Sequence, residues 1–215
     1  MEKTFPALNS IEILRDKPTL ICDADEVIFD FMNELLIFLK KNKLSFNWAS
    51  YALTGNIIKK DKKPLDEKEV KELLSLFFKS HTKNMRLING VKESLTRISK
   101  KFNIVILSNI PFKYYELRKA ALNLHSLNFP FYANKGEKGT ACSIICQLNK
   151  KETWFIDDSP LQVSSVRRKN KNIKTILFIE NYKLARLINN KKDCDFYSTN
   201  WKNNEKILLN RTNNE

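Results

Sequence analysis

The sequence predicts an α/β fold: a three-layer α/β/α core around a mostly parallel sheet, with a small helical insert after the first core strand. Three observations predict it. Apolar runs at 19–22, 102–107, 153–156 and 173–179 have the length and continuity of strands buried on both faces. Amphipathic stretches at helical spacing separate them. Three of the runs stop abruptly at polar groups: Asp23 and Asp25, Ser108 and Asn109, Asp157 and Asp158. Strands alternating with helices imply right-handed βαβ units, so all these ends lie on one edge of the sheet.

Taken in order, residues 1–17 read as a leader onto the first strand. After it, Phe31, Met32, Leu35, Leu36, Phe38 and Leu39 recur at helical spacing and predict a helix ending near Asn42. A mixed segment follows, with Trp48, Tyr51 and a Thr54-Gly55-Asn56 turn. Pro64 and Asp66 open a second helix with Val70, Leu73, Leu74, Leu76 and Phe77 on its apolar face. Residues 31–83 therefore form a small helical cap, and 17–30 with 84–190 form the core. Within that core, helices are expected at 91–100, 113–123, 140–148, 161–169 and 182–189, and a short strand at 129–132. Residues 191–215 read as a polar tail, partly packed on the core through Phe196, Trp201, Ile207 and Leu208.

With 42% apolar and 11% aromatic residues in a chain of 215, the composition is globular rather than disordered. No apolar run approaches the roughly 18 residues of a membrane span, and 1–10 lacks the apolar centre of a signal peptide. A cytoplasmic protein is expected. The cysteines Cys22, Cys142, Cys146 and Cys194 show no C-x-x-C spacing, and only His81 and His125 accompany them, so a zinc site is not supported. Thirty-eight basic against 24 acidic residues give a net charge of +14. That charge suits phosphorylated substrates or nucleic acid. Basic residues are spread along the chain and no recognition motif is present, so nucleic acid is the less favoured partner. Neither G-x-G-x-x-G nor a P-loop occurs, and nothing in the sequence speaks to oligomeric state.

The converging strand ends make a chemically coherent set. Asp23 and Asp25 face a crevice at the strand's carboxyl end, and carboxylates this close call for a cation, here magnesium. One carboxylate can attack phosphorus. The other can protonate the leaving alkoxide and then activate water. A hydroxyl at Ser108 and a lysine at the start of a helix can hold phosphoryl oxygens.

In these motifs the chain resembles the haloacid dehalogenase-like (HAD) hydrolase superfamily. D-x-D ending the first core strand is matched by Asp23-Ala24-Asp25, the Ser or Thr ending the next by Ser108, and the acidic pair by Asp157-Asp158. The likeness spans roughly 20–179 and implies a Rossmann-like core with a small cap. It implies Asp23 as nucleophile and Asp25 as acid/base, with Ser108, Asn109 and Lys138 binding the phosphoryl group. Asp158 first, Asp157 second, and Asp23 and Asp25 would hold Mg2+, Asp25 through its backbone carbonyl. Lys138 is chosen because Lys-Gly-Thr-Ala leads into a helix; Lys135 is its rival. One departure is Glu26-Val27 where many family members have Gly-Thr.

The second carboxylate separates branches of that family. Dehalogenases lack it, because a carbon–halogen bond needs no proton donated to an alkoxide. Its presence implies a magnesium-dependent phosphatase acting on a phosphorylated small molecule through an aspartyl-phosphate. A phosphotransferase or phosphomutase, or a non-catalytic binding protein on the same fold, are the alternatives.

Overall fold

The computed structural model describes residues 3–8, 11–188 and 193–211. The leader and tail ends, and the expected run of the 182–189 helix as far as Asn189, fall partly outside these. The core is a sheet of seven strands in the order β1-β6-β5-β2-β7-β8-β9. Its strands are β1 (Thr4–Phe5), β2 (Thr19–Cys22), β5 (Asn103–Ser108), β6 (Phe131–Asn134), β7 (Thr153–Asp157), β8 (Ile173–Phe178) and β9 (Phe196–Ser198). All pair in parallel except β1, which runs antiparallel to β6. A separate hairpin joins β3 (Ser45–Phe46) to β4 (Ile57–Ile58).

Strand β2 sits in the middle, and its four residues are all buried. From β2 the chain moves to β5 and β6 on one side, then crosses back to β7, β8 and β9 on the other. With right-handed crossovers this reversal puts α3 (Val91–Ile98) and α4 (Tyr115–Leu124) on one face. It puts α5 (Gly139–Gln147) and α6 (Pro160–Lys169) on the other, packed against each other. The carboxyl end of β2 is thus the topological switch point, where ligands bind in open α/β sheets.

Two sheet edges are additions to the sequence reading. Thr4 and Phe5, expected only to lead in, form β1. The tail supplies β9 and α8 (Trp201–Arg211), which packs on α3. Trp201 is fully buried, and its Nε1 donates 2.8 Å to the carbonyl of Val27. β6 begins two residues later than expected, because its ladder with β5 starts at the pairing of Ile106 with Phe131. Among the described residues, no helix is long and apolar enough to cross a membrane.

Between β2 and α3 lie α1 (Phe31–Lys41), the β3–β4 hairpin and α2 (Glu67–His81). α2 starts at a full capping box: Asp66 accepts from the Glu69 amide and Glu69 from the Asp66 amide. α1 and α2 pack through Phe31 and Phe38, both edge-on to the ring of Phe77, at 5.3 and 5.4 Å between centroids.

The Trp201 contact generates a prediction. Trp201→Ala removes a fully buried ring and an indole donor, and should cost about 3–5 kcal/mol of stability in urea denaturation. A loss under about 1 kcal/mol would show that α8 is not part of the core.

Candidate active site

Asp23 follows β2 directly, and its amide still donates to Ile156 across the ladder, at 3.0 Å. Ser108 is the last residue of β5 and Asp157 the last of β7, the two neighbours of β2. Sheet order alone therefore brings three of the expected residues together. Lys138 immediately precedes α5, and its ammonium lies 2.6 Å from Asp23 Oδ1 and 2.7 Å from Asp157 Oδ2. It is 1% exposed. Burial opposes its charge, but Asp157 and Asp23 outweigh that and hold its pKa above the ordinary value. Lys135 is exposed and lies outside this cluster.

What lets Lys138 reach the sheet is the residue after it. A Cβ on Gly139 would lie 2.4 Å from the carbonyl oxygen of Ser165, so only glycine lets α5 approach α6 this closely. The amide of Lys138 donates to Gln162 and that of Gly139 to the Ser165 hydroxyl. These contacts fix the entry to α5 on α6.

Asp157 spends its other oxygen on the Ser159 amide, at 2.9 Å. Burial pushes its pKa up to about 7, against the pull of Lys138. Asp158 is also raised, first by burial and then by Asp157 and Asp23. Ser108 Oγ is buried and has no hydrogen-bond partner among the described residues. Asn109 ties the neighbouring loops: its amide donates 2.8 Å to the Gly136 carbonyl, and its Oδ1 accepts from Asn134.

Asp25 points elsewhere. Its Oδ1 is 2.5 Å from Nη2 of Arg118, a fully buried arginine of α4. The guanidinium stacks 4.4 Å over the ring of Phe29. Burial raises the Asp25 pKa, and Arg118 only partly offsets it. Tyr51, from the loop between β3 and β4, donates its hydroxyl to the Asp158 carboxylate. Asn56 braces that loop through donations to the carbonyls of Ser50 and Ala52, at 3.1 and 2.7 Å.

Glu26 stands where the family pattern has glycine, and it takes the left-handed conformation that glycine favours, with φ of 59°. Its side chain turns inward and accepts 2.5 Å from the amide of Met32, in the first turn of α1. Burial pushes its pKa up to about 8. Sequence reasoning marks Glu26 as a departure and Tyr51 as a cap residue that either meets substrate or packs, not as a partner of Asp158, and it gives Arg118 no place in the site. Arg118 carries one signal: a charged residue on the inward stripe of α4 with Tyr115, Ala121 and Leu122.

Of these groups, Asp23, Asp25, Glu26, Tyr51, Ser108, Asn109 and Asp158 open onto a cavity of about 200 Å3. Magnesium fits the donor set. Carboxylate oxygens of Asp23, Asp157 and Asp158 lie within 4.8 Å of one another, and all three residues are buried. Against these three carboxylates Lys138 supplies one positive charge, which leaves a deficit a divalent cation matches. The Asp25 carboxylate is not in that cluster; it faces Arg118.

No family model matches the sequence, and neither does any curated protein. Solved structures do match in shape. A HAD family hydrolase from Deinococcus radiodurans R1, with bound phosphate and sodium, aligns with a TM-score of 0.61 at 16% identity, over 90% of this chain and 96% of that one. The fold is that of HAD-family hydrolases. A predicted phosphoglycolate phosphatase from Haemophilus somnus 129pt gives a TM-score of 0.60 at 16% identity, over 89% and 97% of the two chains. A putative HAD-hydrolase from Bacillus subtilis bound to magnesium gives 0.57 at 15%, over 89% and 98%.

Glu26 generates a pH prediction. Its folded pKa of about 8 lies above the ordinary 4.5, so the folded state holds the proton more tightly. Stability is then full below about 4.5 and falls as pH rises through about 8. In chelator, the urea-derived stability should fall from pH 5 to pH 8 by less in Glu26→Gln than in wild type. The difference should be on the order of 3 kcal/mol. Equal slopes would show Glu26 to be ionised in the fold.

Proposed function

We propose that this HAD-fold chain is a magnesium-dependent phosphatase, hydrolysing a small phosphate monoester through an aspartyl-phosphate on Asp23. One observation carries the reading: Lys138 sits buried between Asp23 and Asp157 at the switch point of the sheet, and the Ser108 hydroxyl, buried and without a partner among the described residues, lines the same cavity as Asp23. An anion with several acceptor oxygens would satisfy that hydroxyl.

The roles follow from the side chains. Ser108 Oγ–H donates to a phosphoryl oxygen, while Lys138 holds the Asp23 carboxylate in place and offsets charge on the phosphoryl group. Asp23 attacks phosphorus as the ester P–O bond breaks. Asp25 gives its proton to the leaving alkoxide, then takes one from the water that attacks phosphorus and frees Asp23. Arg118 engages one oxygen of Asp25 and so fixes its orientation. Asp158, Asp23 and Asp157 would hold magnesium, which when bound neutralises charge between the carboxylates and the phosphoryl group. Residues 31–83 act as a cap, and Tyr51 is the cap residue that touches the metal-binding end of the site. Asp25 favours an alkoxide leaving group, which needs a proton, over a halide, which does not.

The test is phosphate release from a panel of phosphate esters with magnesium. Release should stop with chelator, and should fall to background in Asp23→Asn while the circular dichroism spectrum is unchanged. Near-wild-type release in Asp23→Asn would remove the nucleophile assignment. No release from any ester, with no magnesium binding, would favour a non-catalytic protein.

A further inference from the structure

We infer that the leaving-group half of the cavity selects esters of small alcohols that are apolar near the ester oxygen and carry no second acidic group; this rests on the phosphatase reading above. The cavity, at about 200 Å3, is smaller than the roughly 300–1,000 Å3 of drug-sized sites. It equals the liquid volume of about seven waters, room for a phosphoryl group and a few further atoms.

Its lining is mixed. Asp23, Asp25, Asp158, Ser108 and Asn109 are the groups assigned above to the phosphoryl group, the metal and the leaving oxygen. The apolar lining is Phe31 and Met32 from α1, Leu53 from the β3–β4 loop and Leu184 from α7 (Tyr182–Arg186), with Glu26 and Tyr51 as the remaining polar groups. Among the described residues lining the cavity, none is Lys or Arg.

Three cations near the cavity already have partners. Lys138 lies between two carboxylates, and Arg118 is fully buried against Asp25 and Phe29. Lys183, next to Leu184, turns its ammonium onto the ring of Trp48, 5.1 Å from the centroid. A carboxylate or second phosphate on the substrate would therefore meet apolar side chains and no lysine or arginine among the described residues that line the cavity. Burying a charge without a partner is strongly unfavourable. An apolar alcohol has no such penalty and fills the same walls.

Non-hydrolysable phosphonates test this by titration calorimetry on the wild-type protein in magnesium. Butylphosphonate should bind at least tenfold more tightly than 3-phosphonopropionate, which places a carboxylate at the far end. Leu53→Lys, which supplies the missing cation, should narrow or reverse that preference. In parallel, kcat/KM for butyl phosphate should exceed that for phosphoglycolate at least tenfold. Equal or reversed preference in wild type overturns the inference and leaves the phosphatase reading standing. Binding of neither phosphonate overturns it as well. Phosphate release from neither ester, nor from any other, removes the phosphatase reading and the inference together.

Discussion

The structure depends on one buried ammonium. Asp23 and Asp157 end adjacent strands, and Asp158 follows, so the sheet delivers three carboxylates to one spot whether or not anything neutralises them. Buried carboxylates without partners are strongly destabilising. Lys138 is the answer built into the chain, and its position requires α5 to begin almost against α6. Gly139 makes that possible: no other side chain clears the Ser165 carbonyl. One lysine does not balance three acids, and the imbalance makes the site a place for a divalent cation rather than a closed structural salt bridge. Burial raises Asp157 despite the neighbouring ammonium, and it raises Asp158, with Asp157 and Asp23 adding to it, despite the Tyr51 hydroxyl.

The loop after Asp23 is held from three directions. Glu26 folds it back through its left-handed backbone, with its amide donating to the Phe29 carbonyl at 2.8 Å. The segment before α3 clasps it, with the Asp30 amide donating to the Arg86 carbonyl and the Ile88 amide to the Ile28 carbonyl. Trp201 closes the third side at Val27. A tail that reads in the sequence as polar and partly packed on the core, through Trp201 among others, is therefore a support for the loop carrying Asp25. Glu26 adopts the turn conformation that glycine favours, and its carboxyl adds a contact glycine cannot make by receiving a first-turn amide of α1. That amide would otherwise lack a partner, as helix starts do.

Legibility in the sequence followed local signal strength. The four apolar runs were readable because strands buried on both faces need no alternation, and their abrupt polar ends marked Asp23, Ser108 and Asp157. β1 and β9 were not, since strands of two and three residues carry no pattern and exist only through pairing with β6 and β8. Lys135 and Lys138 look alike in sequence; burial separates them. Tyr51 reaches Asp158 across 107 residues, and nothing local to either residue encodes that meeting. Arg118 was within reach of sequence reasoning, because a charge on an apolar helical stripe must be paired or expelled.

That arginine bears on how one carboxyl can serve both halves of a hydrolysis. Protonating an alkoxide asks Asp25 to hold a proton at working pH, and activating water asks it to be without one. Burial favours the first condition by disfavouring the charged form, while Arg118 favours the second by stabilising it. An exposed Asp25 would be ionised throughout, and a buried one without a cation would hold its proton too tightly to serve as base. The guanidinium contributes this without competing for the phosphoryl group, because it is fully buried beneath Asp25 and against Phe29. Among the described residues that line the cavity none is Lys or Arg, so the arrangement that tunes the acid leaves the cavity lining with no cation for a second anion.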